Sequence, residues 1–265
     1  MRDISKVKNE KVAVVIGGTG QIGRTVVERF LDAGCRTAVV SLHSHTPEEF
    51  AYLKDQFAFR VLFYQADITL ESQVTKCFRK IEEDFGRIDY LVYTVGVPPD
   101  TDTLLKNLSI SDWDKTFDVY VKGFFLCFRE GLKMMVPGTH MMAVSSAITR
   151  FPNDMLPPVC AGAYAAAKSA LDEFLKWARR EAHEQGILLS RFAPGAVDTP
   201  FHQKAPPRSK PPAVLPMQEI AVRIVEAMIG SQEIDLQIVA GSKRQLPLTN
   251  TNVICSSKLI DSVLK

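Results

Sequence analysis

The sequence predicts a single doubly wound α/β domain, with a seven-stranded, mainly parallel sheet and helices on both faces. Three observations lead there. Short, nearly continuous apolar runs rich in β-branched residues alternate with longer segments of helical period. Runs without polar alternation belong to strands covered on both faces, and strand–helix alternation joins parallel strands by right-handed crossovers. A glycine-rich turn, Gly17-Gly18-Thr19-Gly20-Gln21-Ile22-Gly23, stands between the first strand and the first helix.

The elements follow in order. Residues 11–16 (KVAVVI) form the first strand, and a helix covers 21–33, with Gly34 as its C-terminal stop. Residues 37–41 (TAVVS) are the second strand, and Thr46-Pro47 opens a helix whose first turn suits proline. A third strand at 60–64 precedes a helix over 70–85 that Gly86 ends, and 88–93 (IDYLVY) is the fourth strand. Ser109 with Asp112 has the form of a capping box for a helix reaching residue 135. Residues 140–145 are the fifth strand, and a loop with Pro152, Pro157 and Pro158 leads to a helix over 162–184. Residues 187–192 are the sixth strand, 217–229 a helix and 236–240 the last strand. The whole chain, 1–265, reads as one domain, with the proline-rich, basic segment 199–216 as a lid over the substrate pocket.

Composition narrows the function. The 265 residues are 46% hydrophobic and 23% charged, which excludes a disordered chain. Lys+Arg number 32 against 30 Asp+Glu, so the near-neutral balance points to neither nucleic acid nor an anionic membrane. No apolar run reaches the ~18 residues of a membrane span, and residues 1–11 lack the apolar stretch of a secretory signal. Five scattered cysteines without a Cys-x-x-Cys pair read as free thiols in a reducing cytoplasm. His43 and His45 lack an obvious third ligand, so no metal is expected.

The glycine turn carries the first chemistry. Glycines let the backbone approach a pyrophosphate, and the helix N-terminus offers N–H groups to the anion, which is the arrangement of a Rossmann-like dinucleotide site. Gly17, Thr19, Gln21, Ile22 and Gly23 are therefore candidate cofactor contacts. An acid about 20 residues on would read the ribose 2′-OH of NAD. Here the second strand ends Ser41-Leu42-His43, without Asp or Glu. Ser41 and His43 can donate to a 2′-phosphate and Arg24 or Arg36 can add charge, so NADP is expected and NAD remains possible.

Tyr164-Ala165-Ala166-Ala167-Lys168 stands near the start of a helix, so the phenol and the ammonium share one face. An ammonium beside a phenol favours its ionised form and makes the hydroxyl usable as acid or base near neutral pH. The glycine turn, Asp67 after the third strand, Gly96 after the fourth, Ser145-Ser146 after the fifth, Tyr164/Lys168, and Pro194-Gly195 after the sixth occur in sequence. In this order the chain resembles the short-chain dehydrogenase/reductase superfamily, compact single-domain type, over about 11–241. The resemblance implies roles. Tyr164 would be the general acid in carbonyl reduction and the base in alcohol oxidation. Lys168 would hold the nicotinamide ribose and lower the Tyr164 pKa. Ser146, with Ser145 as an adjacent rival, would hold the substrate oxygen. Asp67 would accept from the adenine amino group, with Ile68 packing on the ring. Gly96, Pro194, Gly195, Val197 and Thr199 would line the cofactor, the last four at its nicotinamide end.

The chain departs from the pattern in four places. Gln21 stands where the compact form has glycine, so the spacing Gly17, Gly20, Gly23 is that of the longer epimerase-like form. Tyr93-Thr94-Val95-Gly96 replaces Asn-Asn-Ala-Gly. Tyr120 takes the place of an asparagine that holds a proton-relay water; its hydroxyl is expected to substitute for that water, the alternatives being a ring that blocks the relay and a core residue turned away. The link from Ser146 to Tyr164 is long. The function expected is reversible hydride transfer between a nicotinamide cofactor and a small carbonyl or alcohol. The alternatives are an epimerase or dehydratase with tightly bound NAD, and a non-catalytic NADP-sensing protein. Phe124, Phe125 and Phe128 on one helix and Leu171, Phe174, Leu175 and Trp177 on another exceed one apolar stripe each, which predicts a homodimer or homotetramer.

Overall fold

The computed structural model describes residues 10–43, 50–97, 104–150, 161–198, 214–239 and 252–255. Their strands form one sheet in the order β3-β2-β1-β4-β5-β6-β7-β8. The strands are β1 (Val12–Ile16), β2 (Arg36–Ser41), β3 (Val61–Gln65), β4 (Ile88–Tyr93), β5 (Met135–Val144), β6 (Leu188–Pro194), β7 (Asp235–Val239) and β8 (Asn252–Cys255). Every adjacent pair is parallel. The sheet is thus one strand wider than the seven the sequence predicts. The extra strand is a four-residue run paired to β7, too short to stand out by periodicity.

The helices are α1 (Gln21–Asp32), α2 (Ala51–Phe57), α3 (Glu71–Phe85), α4 (Ile110–Phe117), α5 (Gly123–Met134), α6 (Gly162–Glu184) and α7 (Met217–Ile229). Alternation along each strand builds two cores. Val12, Val14 and Ile16 of β1 face the core shared with α3, α5 and α6. Ala13 and Val15 face the core shared with α1, α2 and α7. This is why the strands read as unbroken apolar runs: neither face meets water.

Two predicted elements differ in detail. The helix expected from Ser109 to residue 135 does start at a Ser109 cap, whose hydroxyl accepts from Asp112 N at 3.0 Å. A π-helical turn, Asp118–Lys122, then separates α4 from α5. The fifth strand starts at Met135 rather than 140, across an irregular register in which Ile88 faces Met135 and Tyr90 faces His140. Pro137-Gly138, with Gly138 at φ 85°, is absorbed in that irregularity.

Strand order reverses between β1 and β4: β2 and β3 lie on one side, β5 to β8 on the other. Connections leave in opposite directions from these two neighbours, so a crevice opens at their C-terminal ends. The glycine turn follows β1 and Thr94-Val95-Gly96 follows β4, at that crevice.

Candidate active site

The backbone after β1 folds tightly onto the sheet. Gly17 N and Gly18 N donate to Val40 O at 2.8 and 3.1 Å, and Gly20 N to Gly17 O at 2.9 Å. Gly17 has φ 79°, a conformation that suits glycine. A Cβ on Gly23 would lie 2.1 Å from Gly17 O, and one on Gly18 would lie 2.8 Å from Val39 Cγ1. Helix α1 begins at a glycine N-cap with no side-chain cap and no acid in its first turn. Its first-turn N–H groups lack intrahelical acceptors, as at any helix start. A cradle closed to side chains, ending in an uncapped helix N-terminus, fits a pyrophosphate. Thr94 fastens this turn to β4, its Oγ1 donating to Ile16 O at 2.8 Å. Thr94 entered the sequence reading only as a departure from the family pattern, and this tie is what it contributes.

The adenosine side is more mixed. Ser41 is buried and its Oγ donates to His43 O at 3.0 Å, while His43 is exposed. Asp67 Oδ1 accepts from Thr69 N and Thr69 Oγ1 at 2.9 and 2.7 Å, so this oxygen holds a turn. Ile68 lies in the core, its Cδ1 2.2 Å from where a Cβ on Gly123 would be. The side-chain packing on adenine expected of Ile68 is therefore corrected: the residue fills a notch left by a glycine of α5. Arg36 is also corrected. It stands at the opposite end of β2, with Nη2 donating to Asp84 O at 3.0 Å and its guanidinium over Phe85. Arg24, on the first turn of α1, bonds Glu28 at 3.2 Å and lies over the Phe50 and Tyr52 rings.

The Tyr–Lys helix begins at Gly162, and the loop after β5 brings Ser146 to it. The Tyr164 hydroxyl is hydrogen-bonded to the Ser146 side chain. Its neighbour Ser145 turns inward and donates to Asp172. Of the two rival serines, Ser146 is the one at the phenol. Lys168 is buried, and Nζ donates to Val144 O at 2.9 Å. It lies 4.1 Å from the centre of the Tyr120 ring and 5.9 Å from that of Tyr164.

These surroundings set the charges. Burial pushes the Lys168 ammonium down to about 7, with Asp172 raising it and Arg191 lowering it further. Burial holds Tyr164 above the usual phenol range, against the lowering effect of the Ser146 hydrogen bond. Burial decides in this state, with Asp172 adding to it, so the phenol is neutral and able to donate. The Tyr120 hydroxyl does not take a relay water's place. It accepts from Val97 N at 3.0 Å and donates to Val97 O at 2.9 Å, turning its ring face to Lys168.

Beneath the pair lies a buried ionic network that the sequence reading missed. Arg191, 2% exposed, reaches Asp172 at 2.7 Å and Asp235 at 2.9 Å. Thr149 Oγ1 donates to Asp172 at 2.7 Å and accepts from Arg191 at 2.9 Å, and Arg150 pairs with Asp235 at 3.1 Å. Two signals pointed to it: Asp172 stands four residues beyond Lys168, and Arg191 interrupts an apolar strand run.

At the other end of the crevice, Gly96 is exposed beside the Tyr120 hydroxyl, and Pro194 closes β6. Gly195 and Val197 follow it. Backbone pairing of Ala196 and Asp198 with Leu215, at 2.8 and 3.0 Å, ties the two ends of the following segment together. Thr199 and residues 200–213 of the expected lid lie outside the described residues. Among the described residues there is no cluster able to hold a metal ion and no helix long and apolar enough to cross a membrane.

Fold and site together define a dinucleotide-dependent oxidoreductase of the doubly wound class. Residues 11–210 match the short chain dehydrogenase family, and the chain belongs to it. It is 30% identical over 198 residues, 71% of each chain, to a "Short-chain type dehydrogenase/reductase" of Picea abies. A short-chain dehydrogenase/reductase from Serratia marcescens has the same fold, with TM-score 0.74 and 24% identity over 86% of this chain and 96% of that one. So has a short chain dehydrogenase from Burkholderia cenocepacia solved in complex with NADP, with TM-score 0.73 and 21% identity over 82% and 90%. The protein is a short-chain dehydrogenase/reductase acting on small molecules and binding NAD(P).

Proposed function

We propose that this enzyme is an NADP(H)-dependent carbonyl reductase or alcohol dehydrogenase in which Tyr164 donates and accepts the substrate proton. The observation that carries the reading is the contact of the Tyr164 phenol with Ser146 beside the Lys168 ammonium. A carbonyl oxygen between the two hydroxyls takes a hydrogen bond from Ser146 and a proton from Tyr164. In alcohol oxidation Tyr164 accepts the proton instead. Lys168, beside the phenol, holds the nicotinamide ribose and supplies positive charge in its protonated form. The bound dinucleotide supplies or accepts the hydride. Gly17, Thr19, Gln21, Ile22 and Gly23 cradle the pyrophosphate, Asp67 meets the adenine end, and Gly96, Pro194, Gly195, Val197 and Thr199 line the nicotinamide end.

NADP over NAD is supported by the missing acid at the end of β2, where Ser41 and His43 stand. A solved relative of the same fold was captured with NADP. A homo-oligomer in the cytoplasm, with segment 199–216 as lid, completes the proposal. Tyr164→Phe tests it. The variant keeps the ring, so NADPH affinity by calorimetry stays within a few-fold, while turnover across a carbonyl panel falls by about 10²–10⁴. Retained turnover overturns the assignment. Tighter calorimetric binding of NADH than NADPH overturns the cofactor choice.

A further inference from the structure

Lys168 sits in an almost sealed position. It is 3% exposed and makes one backbone hydrogen bond, to Val144 O at 2.9 Å. An ammonium has three donors, and a buried charge needs compensation for the water it has lost. Beyond that carbonyl, a ring face lies against it: Nζ is 4.1 Å from the Tyr120 centroid, inside the distance at which an aromatic face attracts a cation.

Three further facts fix that ring. Tyr120 is itself fully buried and comes from the π turn Asp118–Lys122, which sets its direction between α4 and α5. Its hydroxyl grips Val97 on both sides, at 3.0 Å from N and 2.9 Å to O, so the ring cannot turn without breaking two hydrogen bonds. It also meets the Tyr164 ring edge-on at 5.4 Å. One side chain thus touches the lysine, the tyrosine and the loop after β4.

We propose that Tyr120 is a positioning residue whose ring face holds the Lys168 ammonium and whose hydroxyl clamps the Gly96-Val97 loop against the same site. The kinetic part rests on the roles assigned to Tyr164 and Lys168 above; the contact itself does not. Among the described residues, the charged and titratable groups around Lys168 are Tyr164 and Asp172 on its own helix, Tyr120 from the π turn and Arg191 from β6. Asp172 and Arg191 act in opposite senses, and Tyr120 adds attraction without a formal charge.

The test reads Lys168 directly in the unliganded protein. Lysine labelled with ¹³C at Cε is followed by NMR against pH, with Lys168 assigned from Lys168→Arg. Tyr120→Phe keeps the ring face and releases Val97, so the Lys168 midpoint stays within about 0.3 pH units of the wild type. Tyr120→Leu removes the face and lowers the midpoint by about one unit or more, at 1.36 kcal/mol per unit within the range of a desolvated cation–π contact. Should Tyr120→Leu fail to fold, pentafluorophenylalanine at position 120 keeps the volume, inverts the ring's quadrupole and carries the same expectation. An unmoved midpoint in the ring-deleted or fluorinated protein, or an equal fall in Tyr120→Phe, overturns the proposal. The clamp is read separately: Tyr120→Phe raises KM for NADPH more than it lowers kcat, and unchanged kinetics overturn that half. If Tyr164→Phe keeps its turnover while the Lys168 midpoint moves as expected, the catalytic assignment fails and the ring contact stands.

Discussion

Asp172 is the sharpest place to perturb this molecule, because it joins the fold's stability to the position of Ser146. Its carboxylate accepts from Ser145 and Thr149 and pairs with Arg191, which is 2% exposed. Asp172→Leu leaves that guanidinium buried with half its compensation, Asp235 at 2.9 Å. Breaking a buried pair from one side costs about 3–5 kcal/mol, because the surviving charge is left unpaired. Replacing both partners by apolar residues costs much less, because no orphan charge remains. The double variant Asp172→Leu/Arg191→Met is therefore expected to recover more than half of the loss, and Asp235 keeps Arg150 at 3.1 Å. The assay is urea unfolding of the wild type, both single variants and the double, with the slope m checked for constancy. Activity is expected to part company with stability. Ser145 has lost its acceptor in the double variant, so Ser146 is no longer held against Tyr164, and kcat falls by on the order of 10²-fold, as misplacement of a reacting group does. A loss below about 1 kcal/mol in Asp172→Leu, or a stable double variant with full turnover, refutes the reasoning.

Three other outcomes are expected. Burial holds the His140 imidazole down to about 4 from its ordinary 6.5, so the unfolded chain takes up its proton first as pH falls. Stability is then full above pH ~6.5 and declines toward pH 4 by up to about 3 kcal/mol, and His140→Leu flattens that slope in urea titrations run at several pH values. Gly23→Ala places a methyl 2.1 Å from Gly17 O, so NADPH fluorescence titration is expected to lose binding; affinity within twofold of wild type would refute the cradle. Phe125 and Trp177 remain 40% and 63% exposed, and sedimentation velocity is expected to find a dimer or larger that Trp177→Glu weakens, a micromolar monomer being the contrary result.

The sequence was most legible where geometry leaves one residue type no rival. Gly17 needs its positive φ and Gly23 has no room for a Cβ, so the turn declares itself in any chain of this fold. The Tyr164–Lys168 spacing is local to one helix and survives translation into structure for the same reason. What stayed hidden was set by partners far along the chain. Ile68 and Gly123 are complementary shapes from different elements, and neither alone says that the isoleucine turns inward. Asp118-Val119-Tyr120-Val121-Lys122 has the composition of an ordinary helix, so the π turn that aims Tyr120 leaves no periodic trace. The surplus of aromatic residues on two helices proved mostly internal. Phe124, Phe125 and Phe128 all meet Phe174 within one chain, joining α5 to α6, and only part of that surface is left for a partner.

Opposed influences on a single ammonium connect these observations. Burial and Arg191 push Lys168 toward its neutral form; Asp172 on the next helical turn pulls the other way. The Tyr120 ring face adds a further pull, and the Val144 carbonyl fixes where the nitrogen sits. Burial, Asp172 and Arg191 together put the midpoint at about 7, so small changes in the surroundings are large changes in charge at neutral pH. A negatively charged ligand entering the crevice raises the charged fraction, whereas an apolar one that excludes water lowers it. Under the proposed role of Tyr164 as proton donor, the neighbouring phenol, held neutral by burial, then meets a positive charge when an anionic group is bound. On this argument the ionic network under α6 and the aromatic wall at the π turn act on the same variable, and a variant in either moves the pH dependence of turnover without touching the substrate.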